Sequence, residues 1–187
     1  MSTVTSEIRQ FLASDQQIPR ATVQSWIASA SDLQDLCLLY QLTDECYNRI
    51  SPELGGQATC DVICRYLIEC IRFDPDDQEL LSRYDAASEM LAWFYHLLRH
   101  PDDCSDILSL SARAITQLFL DGDEAVRTCI ETAFLEHVLE RAQLRRFFAD
   151  WAGDPRLRAA HMRALAWADA HPDFMSNMFN GLSDKRP

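Results

Sequence analysis

Residues 77–99 read DQELLSRYDAASEMLAWFYHLLR, and this stretch decides the fold class. Leu80, Tyr84, Ala87, Leu91, Phe94 and Leu98 recur at alternating steps of four and three, the spacing that aligns side chains on one face of an α-helix. A second apolar row, Ala86, Met90, Trp93 and Leu97, runs beside it, leaving Ser82, Asp85, Glu89, His96 and Arg99 as a narrow polar edge. So wide an apolar surface predicts a largely buried, central helix over 77–99.

Outward from that helix the punctuation is regular. The five glycines and seven prolines fall between apolar-periodic segments, never inside one, and both residues weaken helix interiors. The segments so marked lie near 3–14, 21–30, 32–49, 58–73, 77–99, 102–120, 123–151 and 155–170, with a break in the seventh near 137–142. Ser31 with Gln34 reads as a capping box for the third helix, and Ser51 before Pro52 as another N-terminal cap. In the fourth, Asp61, Arg65 and Arg72 are polar while Ile63, Leu67, Cys70 and Ile71 are apolar. No alternating run of β-branched residues argues for a strand. The expected fold is all-α: a compact multi-helix bundle or an irregular stack of antiparallel helical hairpins, about eight helices, HEAT-like in character but without a regular repeat. A single helical domain is expected over 1–175, with a loosely ordered tail over 176–187.

Composition narrows the class. The chain has 187 residues, of which 48% are hydrophobic and 25% charged, as in ordinary globular proteins. The opening MSTVTSEIRQ lacks a basic start and apolar run, and no segment nears the ~20 apolar residues of a membrane span. A cytoplasmic protein is expected. Seven cysteines in no disulfide-like spacing fit a reducing compartment and buried thiols, Cys60, Cys64 and Cys70 extending one apolar face.

The net charge of -12 is uneven: residues 1–140 carry 24 acids against 9 bases, and residues 141–187 carry 5 acids against 8 bases. An acidic field of this size repels nucleic acid and anionic membranes and speeds encounter with basic partners. The arginines of the C-terminal part (Arg141, Arg145, Arg146, Arg156, Arg158 and Arg163) alternate with apolar positions, which favours internal pairing or head-to-tail dimer contact over nucleic-acid binding.

The acids cluster at turns. RHPDDCSD (99–106), FDPDDQEL (73–80) and LDGDEAV (120–126) each place carboxylates where a helix begins, and there they satisfy free N–H groups and complement the helix dipole. One carboxylate suffices for a cap, yet one turn supplies Asp74, Asp76, Asp77 and Glu79, and another Asp121, Asp123 and Glu124. The excess marks these residues as a candidate acidic recognition surface. His96 and His100, four apart on a helix, with Asp102, Asp103 or Cys104 nearby, are the weak metal candidates; no second ligand pair accompanies them, and no cofactor is expected. Asp121, Asp123 and Glu124 lack the later glutamate of an EF-hand. The nucleophile-elbow, HExxH, phosphate-loop, dinucleotide and kinase motifs are all missing.

A small, acidic, all-helical chain without catalytic motifs resembles in type the bacterial immunity proteins, antitoxins and inhibitor modules. The resemblance implies a non-enzymatic protein whose carboxylates meet a basic protein partner, such as a toxin or another enzyme, and block it by charge and shape. Neither nucleic acid nor membrane is expected as a partner, and a homodimer is compatible with the sequence. The alternatives are a helical enzyme with a metal or carboxylate site near His96 and His100, and an adaptor or chaperone-like scaffold with an apolar groove.

Overall fold

Val4, Ile8, Phe11 and Leu12 recur at helical spacing, and the segment folds as α1 (Thr3–Leu12) with Ile8 fully buried. In this computed structural model, which describes residues 3–99 and 101–172, 76% of the chain is helical and the architecture is an all-α multi-helix bundle. The chain divides into two compact units, Met1–Ser82 and Arg83–Pro187. The tail expected over 176–187 lies outside the described residues.

In the first unit α1 is followed by a two-residue strand β1 (Ile18–Pro19), α2 (Arg20–Ser29), α3 (Leu33–Glu45), a 3₁₀ turn (Tyr47–Arg49), β2 (Ile50–Ser51) and α4 (Gly56–Phe73). Leu36, Cys37, Leu38, Leu39 and Leu42 are buried around the circumference of α3, which packs against both α1 and α4. A helix apolar on all sides belongs at the centre. Ile8, Ile18, Val23, Trp26, Ile50 and Val62 complete the core around it.

Three local expectations change. The third segment stops at Glu45 instead of running to 49, because Arg49 turns back and its guanidinium donates to Phe11 O (2.7 Å) and Gln16 O (3.1 and 3.2 Å), closing the end of α1. Asp32, not Ser31, caps α3, its carboxylate accepting the Asp35 N–H at 2.9 Å. Ser51 caps no helix; it pairs in β2, with Ile18 opposite Ile50 in parallel register, and the Ser51–Pro52 peptide is cis. Two-residue strands carry no alternation to read in a sequence.

The second unit contains α5 (Arg83–Leu98), α6 (Pro101–Asp121), α7 (Glu124–Cys129), a π-helical segment (Ile130–Leu135), α8 (Glu136–Val138), α9 (Ala142–Arg145), a 3₁₀ segment (Arg146–Ala152) and α10 (Arg158–Ala170). The helix that decided the fold class is α5, with Ala86, Ala87, Met90, Leu91, Phe94 and Leu97 buried. It begins at Arg83 instead of residue 77, and Tyr84 is 51% exposed. A chain of rings forms the core: Phe94 to Phe134 at 5.1 Å, Phe134 to Phe148 at 5.9 Å, Phe148 to Trp151 at 5.9 Å and Trp151 to Phe119 at 5.0 Å.

The π-helical segment has a packing reason. Val126, Ile130, Phe134 and Val138 are all buried, but at ~100° per residue a straight α-helix would carry Val138 ~120° around from Val126. A π turn advances more slowly, at about 4.4 residues per turn. Six residues in that geometry recover roughly 110° and keep the stripe on one face.

Candidate functional site

The first acidic cluster sits on the segment joining α4 to the end of the first unit, and Asp74, Asp76, Asp77 and Glu79 are all exposed. Asp74 ends α4 in the left-handed conformation (φ +47°), which aspartate tolerates better than most residues, and its N–H reaches Cys70 O at 2.9 Å. Asp77 does not start a helix. Its carboxylate accepts the Glu79 N–H at 2.9 Å and its carbonyl accepts the Leu80 N–H at 3.0 Å, a local turn that competes with helix.

Buried side chains then hold this turn in place. The Leu81 N–H donates to the Tyr66 hydroxyl at 3.2 Å, Tyr66 is hydrogen-bonded to Cys37, and the Cys37 thiol reaches Glu79 O at 3.5 Å. These bonds occupy backbone groups that a helix over 77–82 would have used, which is why α5 starts late. Burial pushes the Tyr66 phenol and the Cys37 thiol up, and pushes the Cys70 thiol up to about 11. All three therefore stay protonated as anchors. Gln34 (3.4 Å) and Arg9 (3.6 Å) approach the Glu79 carboxylate from outside.

Beside this turn, Phe73 is 64% exposed at the end of α4. It lines a groove of about 390 Å³ with Leu33 and Leu36 of α3, with Asp32 and Glu69 supplying the charge. The arginines here are engaged within the fold: Arg65 donates to Ile27 O (3.1 Å) and Ala30 O (3.3 Å) at the end of α2, and Arg72 lies 3.7 Å from Glu69.

The second cluster, in the other unit, is exposed too, but its members have local duties. Asp121 accepts from Gln117 at 2.8 Å. Asp123 is the N-cap of α7, accepting the Val126 N–H at 2.9 Å, as the sequence suggested. Glu124 lines a groove together with Arg127, Arg156 and Arg163.

His96 is exposed and stacks on Trp93 with ring centroids 5.6 Å apart. His100 and the side chains of Asp102 and Asp103 lie outside the described residues. Among the described residues no group of three or more His, Cys, Asp or Glu is placed to hold a metal ion. No helix of the described chain is long and apolar enough to cross a membrane. None of the seven cysteines forms a disulfide; Cys60 and Cys70 are buried and Cys64 is half-buried, its sulfur 3.7 Å from that of Cys60.

One cluster escaped the sequence reading. His137 Nδ1 lies 3.1 Å from the Glu140 carboxylate, whose side chain is 2% exposed, at the turn between α8 and α9. The Tyr95 hydroxyl donates to His137 O at 2.9 Å, the Arg141 guanidinium sits 5.4 Å over the Tyr95 ring, and Trp167 packs edge-on to His137 at 4.7 Å. Burial, helped by the Glu140 charge, pushes the Tyr95 phenol up to about 12. The His137–Glu140 spacing at the expected break was the only available signal.

Three of the C-terminal arginines form ion pairs within the chain, one of them with Glu131 of the acidic part. Arg145 bonds Asp169 at 2.8 Å, Arg156 bonds Asp154 at 2.9 Å and Arg163 bonds Glu131 at 2.6 Å. Comparisons with protein-family models, with curated proteins and with solved structures give no match.

Proposed function

We propose that the protein is a non-enzymatic interaction module of the immunity, antitoxin or inhibitor type, and that its contact surface is the turn carrying Asp74, Asp76, Asp77 and Glu79 together with Phe73 and the adjoining groove. The observation that carries this reading is the anchoring of an exposed acidic turn by buried Tyr66 and Cys37. Four carboxylates held in a fixed backbone cost little further entropy when a partner arrives, so their attraction is available for binding. An exposed aromatic beside them supplies an apolar anchor of the kind that dominates interface energetics. The partner is a basic protein bearing an apolar side chain for the groove, and the carboxylates block its anionic-ligand site by occupancy. Asp121 and Asp123 are secondary, since a local bond and a cap account for them, and Glu124 lies on the other groove.

The test is affinity purification from the native cells at low salt, run in parallel with the variants Asp74→Asn/Asp76→Asn, Phe73→Ser and, as control, Asp121→Asn. A basic partner of fixed stoichiometry should elute with salt, and it should be lost from the first two variants but kept by the control. Retention of the partner by both site variants would refute the reading. Loss with Phe73→Ser alone, insensitive to salt, would favour the adaptor with an apolar groove.

A further inference from the structure

The second unit carries a groove of about 630 Å³ between the end of α6, the first turn of α7 and α10, within the size range of small-molecule sites. Arg127, Arg156 and Arg163 line it together with Glu124, Thr128 and Glu131. Each arginine is held by its Nε–Nη2 edge. Arg163 makes a parallel fork to Glu131, both contacts at 2.6 Å. Arg156 forks onto Asp154 at 3.2 and 2.9 Å. Arg127 uses the same edge on the Phe119 and Leu120 carbonyls at 3.1 and 3.3 Å, closing the end of α6.

A guanidinium has five N–H donors in a fixed plane. Each of these three spends its Nε–Nη2 edge on the protein, and no described residue bonds its Nη1. Arg127 bonds only carbonyl dipoles and has no bonded carboxylate to offset its charge, whereas Arg156 and Arg163 are partly neutralised by Asp154 and Glu131 and are oriented by those bonds. Three guanidiniums around one groove, each with its Nη1 donors left over, suit an acceptor with three or more oxygens, which a phosphate has and a carboxylate lacks. A groove of this volume fits a small ligand. Glu124, with no partner among the described residues, stands on the same wall as an acceptor for hydroxyl or amino donors.

We infer that this groove binds a small phosphate ester carrying hydroxyl or amino groups, with Arg127, Arg156 and Arg163 on the phosphate and Glu124 on the donors. This goes beyond the acidic-surface function and concerns a separate part of the chain.

Calorimetric titration of the full chain with ribose 5-phosphate, alongside inorganic phosphate, tests it. Ribose 5-phosphate should bind more tightly than inorganic phosphate, because only the ester reaches Glu124. Binding should weaken about tenfold or more in Arg127→Gln and in Arg156→Gln, while Arg113→Gln, outside the groove, should bind as the parent does. Arg156 sits on an exposed turn, so its variant reports on the site even if Arg127→Gln disturbs the end of α6; circular dichroism checks both. Absence of binding at ten-millimolar-order ligand, or equal binding by Arg156→Gln and the parent, would overturn the assignment. So would binding to phosphatidic-acid vesicles without binding to ribose 5-phosphate.

Discussion

Replacing Thr5 with valine should destabilise the protein by about 1–3 kcal/mol, the cost of leaving a buried polar group without its partner. Thr5 is 2% exposed and Asp35 is fully buried, and the Thr5 hydroxyl donates to the Asp35 carboxylate at 2.7 Å. The same carboxylate takes the Ser31 N–H at 3.3 Å. One buried acid thus joins α1 to the first turn of α3, whose Leu33 and Leu36 line the groove beside Phe73. Valine keeps the shape of threonine and removes only the donor, so the loss falls on a carboxylate that water cannot reach. Urea unfolding of the parent, Thr5→Val, Asp35→Asn and the double variant gives the coupling directly. A coupling of at least about 1 kcal/mol is expected, together with faster amide exchange over residues 31–36 in Thr5→Val. Strict additivity of the two substitutions, or a Thr5→Val cost under about 0.5 kcal/mol, would refute the view that Asp35 fixes this wall of the groove.

Three further outcomes follow from buried polar groups and close packing. Because burial raises the Cys70 thiol from 9.0 to about 11, the folded state holds that proton more tightly than the unfolded chain. The Cys70 contribution should be level below pH 9 and fall as pH rises toward 11; Cys70→Ala should flatten that fall by up to about 2 kcal/mol in unfolding free energies from urea, and parallel profiles would exclude the effect. His161 is lowered from 6.5 by burial, and its Nδ1 has no partner among the described residues. Its contribution is intact above pH 6.5 and lost as pH falls below it, so His161→Leu should raise stability by about 1 kcal/mol and remove the acid-side slope in thermal melts at pH 5 and 8. In Gly122→Ala the new Cβ would stand 2.5 Å from Val126 Cγ1 and 2.8 Å from Leu118 O; chemical denaturation should show a loss of about 1–3 kcal/mol where the reduced entropy of the unfolded chain alone predicts a gain.

The helical character of the chain was legible because its signal is periodic. Met90, Leu91, Phe94 and Leu97 form a stripe that packing had only to accept. What was illegible depends on partners far away in sequence. Nothing local announces that Tyr66 and Cys37 will take the backbone groups of Leu81 and Glu79 and so delay α5 to Arg83. Arg49 reads as the last basic residue of a long helix until its carbonyl acceptors, Phe11 in α1 and Gln16 just beyond it, appear. The π-helical turn at Ile130–Leu135 answers a register mismatch that becomes visible only when both ends of the segment must bury on one face.

The same distinction sorts the acidic residues. Asp123 caps α7, and Asp121 is bonded within its own helix, so their positions follow from the backbone they serve. Asp77 also serves the backbone, by closing the turn ahead of Glu79. Asp76 does none of this: it is exposed, and no described residue bonds it. Like charges held close in a pinned turn repel one another, and water and salt only weaken that cost. Tyr66 and Cys37 fix the backbone of this turn at Leu81 and Glu79. Under the function proposed above, the buried groups that fix this turn would keep its exposed carboxylates presented to a basic partner.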